Sequence, residues 1–402
     1  MTPGEAAIDE RVLLARQPIL DRQDRVVAYE LLYRPMPLGG GPLDPLAATA
    51  SVIVNGLSDV GLDALVGPHP AYVNVTREFL LGVPSLPFAP ERVVLELLED
   101  QELDDALLQA LRDLVDAGFT IALDDFHYTP EQEPLLELAT IVKLDVRALT
   151  PEQLAHDAVM LKARGLRLVA EKVETDEEAR RCRALGFDAF QGYFFARPAP
   201  IHGRPLPSTQ INTLCRLLET GAEVDIDELE SIIEVDLGLS QRLLRLSNSA
   251  AISPATRVRS LRHALALLAT RTIRRNATIL SLSGIADAPH VVLGTALVRA
   301  RMAEQLAPWT SACPDRAFTV GLFSLLGALV KRPLPDVLVQ LPFDERTTTA
   351  LLHGHEPEGR LLRAIEAHER GETLPMEIPH RRLARSYRDA VSWSDAMSAA
   401  LA

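Results

Sequence analysis

What most constrains this chain is a series of polar residues, each set where a short apolar run ends. Glu30 closes Arg25-Val26-Val27-Ala28-Tyr29, Asn74 follows Ala71-Tyr72-Val73, and Glu96 follows Arg92-Val93-Val94-Leu95. Asp124 and Asp125 end Phe119-Thr120-Ile121-Ala122-Leu123, and Lys143 and Asp145 lie in Ile141-Val142-Lys143-Leu144-Asp145. Glu171 ends Leu166-Arg167-Leu168-Val169-Ala170, and Gln191 follows Asp188-Ala189-Phe190. Short β-branched and aliphatic runs alternating with helical stretches predict βα units around a parallel sheet. In a closed (β/α) barrel the carboxyl ends of the strands converge on one mouth. Polar residues recurring at strand ends in successive units therefore describe a ring. Carboxylates with one Asn, one Lys and one Gln suit hard divalent cations, which prefer oxygen ligands.

A chain of 402 residues has room for two or three domains. The spacing predicts strand-helix alternation from about residue 11 to 195, with helices over 46–65, 103–117, 151–164 and 176–185. A Gly- and Pro-rich stretch at 36–45 interrupts the second unit, and Arg197-Pro198-Ala199-Pro200 with Gly203 and Pro205 marks a boundary. Beyond it the period turns helical, over 226–235, 239–248, 260–268 and 272–282. Charge divides the same way: residues 1–203 carry 18 Lys+Arg against 33 Asp+Glu (−15), and residues 204–402 carry 23 against 22 (+1). An acidic first half repels polyanions unless cations intervene, which argues against nucleic acid as its partner. No apolar stretch is long enough to span a bilayer and residues 1–10 are acidic, so no membrane association is expected. Cys182, Cys215 and Cys313 are far apart and form no ligand pattern, which fits free thiols in a reducing cytoplasm.

From Leu13 to Pro200 the ordered motifs resemble the EAL family of cyclic-di-GMP phosphodiesterases. Gln17-Pro18-Ile19 followed by Tyr29-Glu30-Leu31-Leu32-Tyr33-Arg34 is similar to the family's opening signature, with Leu31 in place of Ala. Val73-Asn74-Val75-Thr76, Glu96-Leu97-Leu98-Glu99, Asp124-Asp125-Phe126, Lys143 with Asp145, Ala170-Glu171-Lys172-Val173-Glu174 and Gln191-Gly192 follow in family order. The resemblance implies metal ligands Glu30, Asn74, Glu96, Asp124 and Asp125, substrate contacts from Arg34 and Gln191, and catalytic Glu171 and Lys143. Glu171 would assist the attacking water, and Glu99 would support a loop. Two Mg²⁺ or Mn²⁺ ions are implied, because paired dications lower the pKa of water and clamp the attacking and leaving oxygens of a phosphodiester. The substrate is then cyclic-di-GMP and the product linear pGpG.

Two departures weigh on activity. Where the family has a Gly-rich loop, the chain reads His127-Tyr128-Thr129-Pro130-Glu131-Gln132-Glu133-Pro134, whose prolines restrict the backbone. Lys172 replaces Gly beside Glu171; pointing inward it would compete with a metal or depress the Glu171 pKa, and pointing outward it would be solvated. Ligand retention argues for turnover and loop loss against efficient turnover, with the balance slightly toward an enzyme. The alternative is an inactive barrel serving as a cyclic-di-GMP effector or interaction module.

Residues 206–283 resemble the HDOD domain, a helical relative of HD phosphohydrolases, through Leu246-Ser247-Asn248-Ser249 and Ser260-Leu261-Arg262. The expected architecture is thus α/β, a TIM-like (β/α) barrel of the EAL type over 1–203 followed by an all-α HDOD domain over 204–402. Ser324-Leu325 stands where HD hydrolases have His-Asp, which argues against hydrolysis there and for a domain that engages a signalling protein partner. His353 and His355 have ligand-like spacing, but Gly354 between them and Pro357-Glu358-Gly359 after them predict a loop. Arg242, Arg245, Arg257, Arg259, Arg262, Arg271, Arg274 and Arg275 read as solvated faces or as a docking surface for an acidic partner. Missing aromatics argue against nucleic acid. The resemblance leaves a homodimer open.

Overall fold

The computed structural model describes residues 12–35, 62–82, 86, 88–99, 101–194, 208–220, 225–249, 252, 258–285 and 290–401. Expectations for 36–61, for the boundary at 197–207 and for Arg257 lie outside them. The chain divides into two compact units, one comprising residues 1–195, 367–374 and 378–388, the other 196–366, 375–377 and 389–402.

Eight strands close the barrel in sequence order: β1 (Val12–Asp21), β2 (Val26–Pro35), β3 (Ala71–Val75), β4 (Val93–Leu97), β5 (Thr120–Leu123), β6 (Ile141–Asp145), β7 (Arg167–Glu171) and β8 (Ala189–Gln191). The expected all-parallel sheet needs one correction: β1 runs antiparallel to both β2 and β8. A tight hairpin, not a helix, joins β1 to β2. Asp21 makes it, its Oδ1 accepting from the amides of Gln23 (2.8 Å) and Arg25 (2.9 Å), while Asp24 takes the left-handed φ of 59°.

Helices α1 (Leu62–Val66), α2 (Arg77–Gly82), α3 (Asp105–Asp116), α4 (Glu133–Leu138), α5 (Pro151–Ala163) and α6 (Asp176–Ala184) lie between the parallel strands. Their starts are encoded locally. Asp104 caps α3 by accepting from the Leu107 amide, and Thr150 with Gln153 and Thr175 with Glu178 form capping boxes for α5 and α6. Pro130 and Pro134, which look like loop residues, sit in the first turns of a 3₁₀ segment (Pro130–Gln132) and of α4, where a missing N–H costs nothing.

Inside the barrel each strand contributes one residue to an apolar layer: Ile19, Ala28, Tyr72, Val94, Ala122, Ile141, Val169 and Ala189. Strand side chains repeat on one face every second residue. The next inward layer, toward the carboxyl ends of the parallel strands, is therefore Gln17, Glu30, Asn74, Glu96, Asp124, Lys143, Glu171 and Gln191. Alternation alone puts the polar ring directly on the apolar plug.

The second unit is helical: α7 (Ser208–Glu219), α8 (Ile226–Glu234), α9 (Leu237–Ser247), α10 (Leu261–Leu267), α11 (Thr270–Ile285), α12 (His290–Leu306), α13 (Pro314–Phe323), α14 (Leu326–Leu329), α15 (Leu334–Leu338) and α16 (Glu345–His353), then α17 (Pro357–Glu369) and α18 (His380–Leu401), which supply residues to both units. No strand occurs among its described residues. At Gly321 of α13 an added Cβ would lie 2.6 Å from Ala300 Cα of α12, so this pair packs backbone to backbone.

Candidate active site at the barrel mouth

Lys143 is the centre of the polar layer. Its side chain is fully buried, and Nζ lies 2.6 Å from Glu96 Oε1, 2.6 Å from Glu171 Oε1, 2.8 Å from Asp124 Oδ1 and 3.3 Å from Glu30 Oε2. Around Glu30, Asn74 Nδ2 donates to Oε1 at 3.3 Å and Gln191 Nε2 donates to Oε2. Gln191 Nε2 also reaches Gln17 Oε1 at 2.8 Å. Strands β1 to β8 thus all feed one network.

A second cluster lies just beyond Glu171. Lys172, in the left-handed conformation with φ 54°, places Nζ 3.0 Å from Asp125 Oδ2, 3.1 Å from Asp125 Oδ1 and 2.7 Å from Asp145 Oδ2. Asp145 Oδ1 is taken by the amides of Arg147 (2.8 Å) and Ala148 (3.2 Å). Asp125 is itself left-handed, with φ 41°. The Lys172 side chain is half exposed, yet its ammonium is held by two carboxylates, the expected metal ligand Asp125 among them, and among the described residues it makes no ion pair with Glu171.

Burial dominates the proton affinities. It raises Glu96 well above the usual carboxyl range, with Lys143 opposing and Glu30 and Asp124 reinforcing. Burial likewise pushes Glu171 up to about 8 against the pull of Lys143. For Lys143 burial works against the charge, but the four carboxyl groups outweigh it and its pKa is raised. Burial would also raise Asp145, yet Lys172 and the two amides pull it below its ordinary value.

The first cluster has the donors a hard dication needs. Asn74 Oδ1, Glu96 Oε2 and Gln191 Oε1 are buried without a hydrogen-bond partner, and Glu96 Oε1 meets Lys143 only as an ionic contact. Buried oxygens are rarely left unpaired unless a ligand or ion uses them. Among the described residues no three His, Cys, Asp or Glu groups already enclose an ion-sized point. The carboxylates are drawn in on the ammonium of Lys143, and part of the donor set is amide oxygen. Glu30, Asn74, Glu96 and Asp124 therefore fit a cation, whereas Asp125 is committed to Lys172.

The remaining expected residues are placed as follows. Glu99 is half exposed, with Oε2 3.9 Å from Nδ1 of His127 in the loop after β5. Arg34 belongs to β2, but its side chain lies outside the described residues. Motif reading named Gln17, Asp145 and Lys172 but gave Gln17 no role and did not foresee the Lys172–Asp145 pair. Inward alternation on β1 signals Gln17; nothing in the sequence signals the pair.

In the second unit, Ser324 Oγ donates to the Gly321 carbonyl (2.8 Å) and receives Arg299 Nη1 (3.3 Å), which also pairs with Glu366 (2.8 Å). Gly354 ends α16 in a left-handed cap, with the His353 and His355 rings 5.8 Å apart. Much of the arginine group is paired internally. Arg262 meets Asp227 (2.8 Å) and Glu230 (2.9 Å), Arg275 meets Glu304 (2.8 Å), and Arg271 meets Asp315. Arg271, Arg274, Arg275, Phe318 and Phe343 line a cavity of about 310 Å³.

A (β/α) barrel with a reversed first strand and a lysine-centred carboxylate mouth, accompanied by a helical unit, defines a two-part architecture. The chain belongs to the family that joins an EAL domain to an HDOD domain. The EAL domain model matches residues 78–198 and the HDOD domain model residues 205–350. The uncharacterized protein YuxH of Bacillus subtilis is 32% identical over 95% of this chain and 98% of its own length. The cyclic di-GMP phosphodiesterase CdgJ of Vibrio cholerae is 30% identical over 90% of this chain and 86% of its own. A solved calcium and cyclic-di-GMP complex of Klebsiella pneumoniae BlrP1 aligns over 49% of this chain and 58% of its own, at 24% identity and a TM-score of 0.40. Among the described residues no helix is long and apolar enough to cross a membrane.

Proposed function

We propose that the barrel mouth binds cyclic-di-GMP and hydrolyses it to linear pGpG with the help of Mg²⁺ or Mn²⁺. The convergence of Glu30, Glu96, Asp124 and Glu171 on Lys143 at the ends of the strands carries this reading. Glu30, Asn74, Glu96 and Asp124 would hold the cation, which when bound would supply charge for the phosphoryl oxygens and lower the pKa of water. Glu171, whose buried carboxyl holds a proton more readily than an exposed one, would take one from the attacking water. Lys143 holds the carboxylates at fixed spacing and offsets charge near the phosphate. Gln191 fixes Glu30 through its amide nitrogen and leaves its oxygen free to face substrate. Arg34 is proposed as a phosphate contact from the motif alone. The kinship with CdgJ, named for this activity, supports the same substrate.

Binding without turnover is the second reading, favoured by one observation: Asp125 is paired with Lys172. The helical unit, with Ser324-Leu325 in place of a His-Asp pair, is proposed to engage a signalling partner and not to hydrolyse. Incubating the full chain with cyclic-di-GMP and Mn²⁺ or Mg²⁺, followed by chromatography for pGpG, tests the first reading. Titration calorimetry in Ca²⁺ detects binding alone. Absence of both product and binding heat would remove either reading.

A further inference from the structure

The two clusters at the mouth differ in what they have left to offer. In the first, four carboxyl groups surround one ammonium, and Asn74 Oδ1 and Glu96 Oε2 are buried and unengaged. In the second, two carboxyl groups face one ammonium, and every carboxylate oxygen already accepts a hydrogen bond. A dication entering the first cluster would meet free donor oxygens. One entering between Asp125 and Asp145 would find every carboxylate oxygen engaged and would have to expel an ammonium held at 2.7 to 3.1 Å, whereas beside Lys143 the Asn74 and Glu96 oxygens are open. Lys172 is covalently tethered, so its local concentration far exceeds that of a free ion.

We propose that the mouth takes one divalent cation, on the Glu30–Asn74–Glu96–Asp124 side, and that Lys172 supplies the second positive charge from the protein itself. The inference rests on the reading of the mouth as a cation site and specifies how that site is occupied. Lys172 keeps the left-handed backbone of a glycine position while filling the space between Asp125 and Asp145 with an ammonium. It offsets charge at that side of the mouth without a metal's capacity to lower the pKa of a bound water.

The test is the Mn²⁺ stoichiometry of the full chain, by titration calorimetry and by electron paramagnetic resonance for coupled Mn²⁺ pairs. The wild type should bind one Mn²⁺ with no pair signal. Lys172→Gly, which suits the left-handed backbone, should bind two and show the coupled signal. Lys172→Met keeps the original backbone demand and removes only the charge, so it should gain the second ion as well. Coupled Mn²⁺ pairs in the wild type would overturn the role of Lys172 while leaving the cation site standing. A single Mn²⁺ in all three proteins would overturn it too, since the ammonium would not be what excludes the second ion. No Mn²⁺ in the wild type or either variant would remove the cation site itself, and this inference with it.

Discussion

The backbone of Gly192 passes so close to Val173 that a Cβ on Gly192 would lie 2.1 Å from the Val173 carbonyl oxygen. The two segments are tied on either side, Val173 N donating to Gln191 O (3.0 Å) and Phe194 N to Val173 O (3.1 Å). Gly192 also has φ 144°, a conformation closed to side chains. Close approach at this point holds Gln191 against Glu30 and Gln17.

Gly192→Ala should therefore act on the site as well as on the fold. Backbone strain and overpacking each cost about 1–3 kcal/mol, so its melting temperature should fall by several degrees. Cyclic-di-GMP affinity in Ca²⁺ should fall with it, because Gln191 moves. Unchanged melting and calorimetry would mean that the two segments separate at little cost.

Lys143→Met removes the one ammonium inside four carboxyl groups. Breaking such a buried pairing costs about 3–5 kcal/mol at neutral pH. The pH dependence has a defined sign. Glu171 is raised to about 8 in the folded chain, so its protonated form favours folding at low pH, and that contribution is lost as pH rises through 8. Without Lys143 the carboxyl groups hold protons more tightly still. The variant's deficit, read from urea melts, should shrink toward pH 5 and widen toward pH 9. A constant deficit would show that packing, not charge, is what Lys143 contributes.

Asp124→Ala and Glu30→Ala each leave Lys143 with three carboxyl partners. Stability should change by no more than about 1 kcal/mol, since relieving carboxylate repulsion offsets the lost contact. Hydrolysis of cyclic-di-GMP should drop at least about 100-fold, the scale seen when an electrostatic contributor is lost. Wild-type turnover by Asp124→Ala would sink its role as a cation ligand.

The barrel and its polar ring were legible because both follow from period two. Once Val94 and Val169 point inward, so must Glu96 and Glu171, whatever the tertiary detail. The helices over 151–164 and 176–185 were legible from their spacing, and the capping boxes at Thr150 and Thr175 set their starts. The reversal of β1 was not legible from strand runs, because Arg22-Gln23-Asp24 carries no strong hairpin dipeptide and the turn depends on side-chain bonds from Asp21. The partners of Lys172 escaped for a different cause. Asp125 follows β5 and Asp145 ends β6, and which way a flexible four-carbon stem turns is decided by charges distant in sequence.

A last prediction concerns residues returning to the first unit from far along the chain. His368 is buried there edge-on to Tyr387, with ring centroids 4.9 Å apart, and Tyr387 Oη accepts from the Arg16 amide at 2.8 Å. Burial holds the His368 pKa down at about 4, and its Nε2 has no hydrogen-bond partner. Protonation therefore favours the unfolded chain. The stability that goes with neutral His368 is complete above about pH 6.5, the ordinary value, and is lost as pH falls toward 4, at about 1.4 kcal/mol per pH unit. His368→Leu should lack this slope, so urea melts of the two proteins at pH 7, 5.5 and 4.5 should converge or cross on acidification. Parallel profiles would mean that His368 is solvated in the folded chain. A fragment of residues 1–203, the division expected from sequence, lacks both His368 and Tyr387. It should melt below the full chain at pH 7 and, over this acidic range, lose less stability than the full chain does.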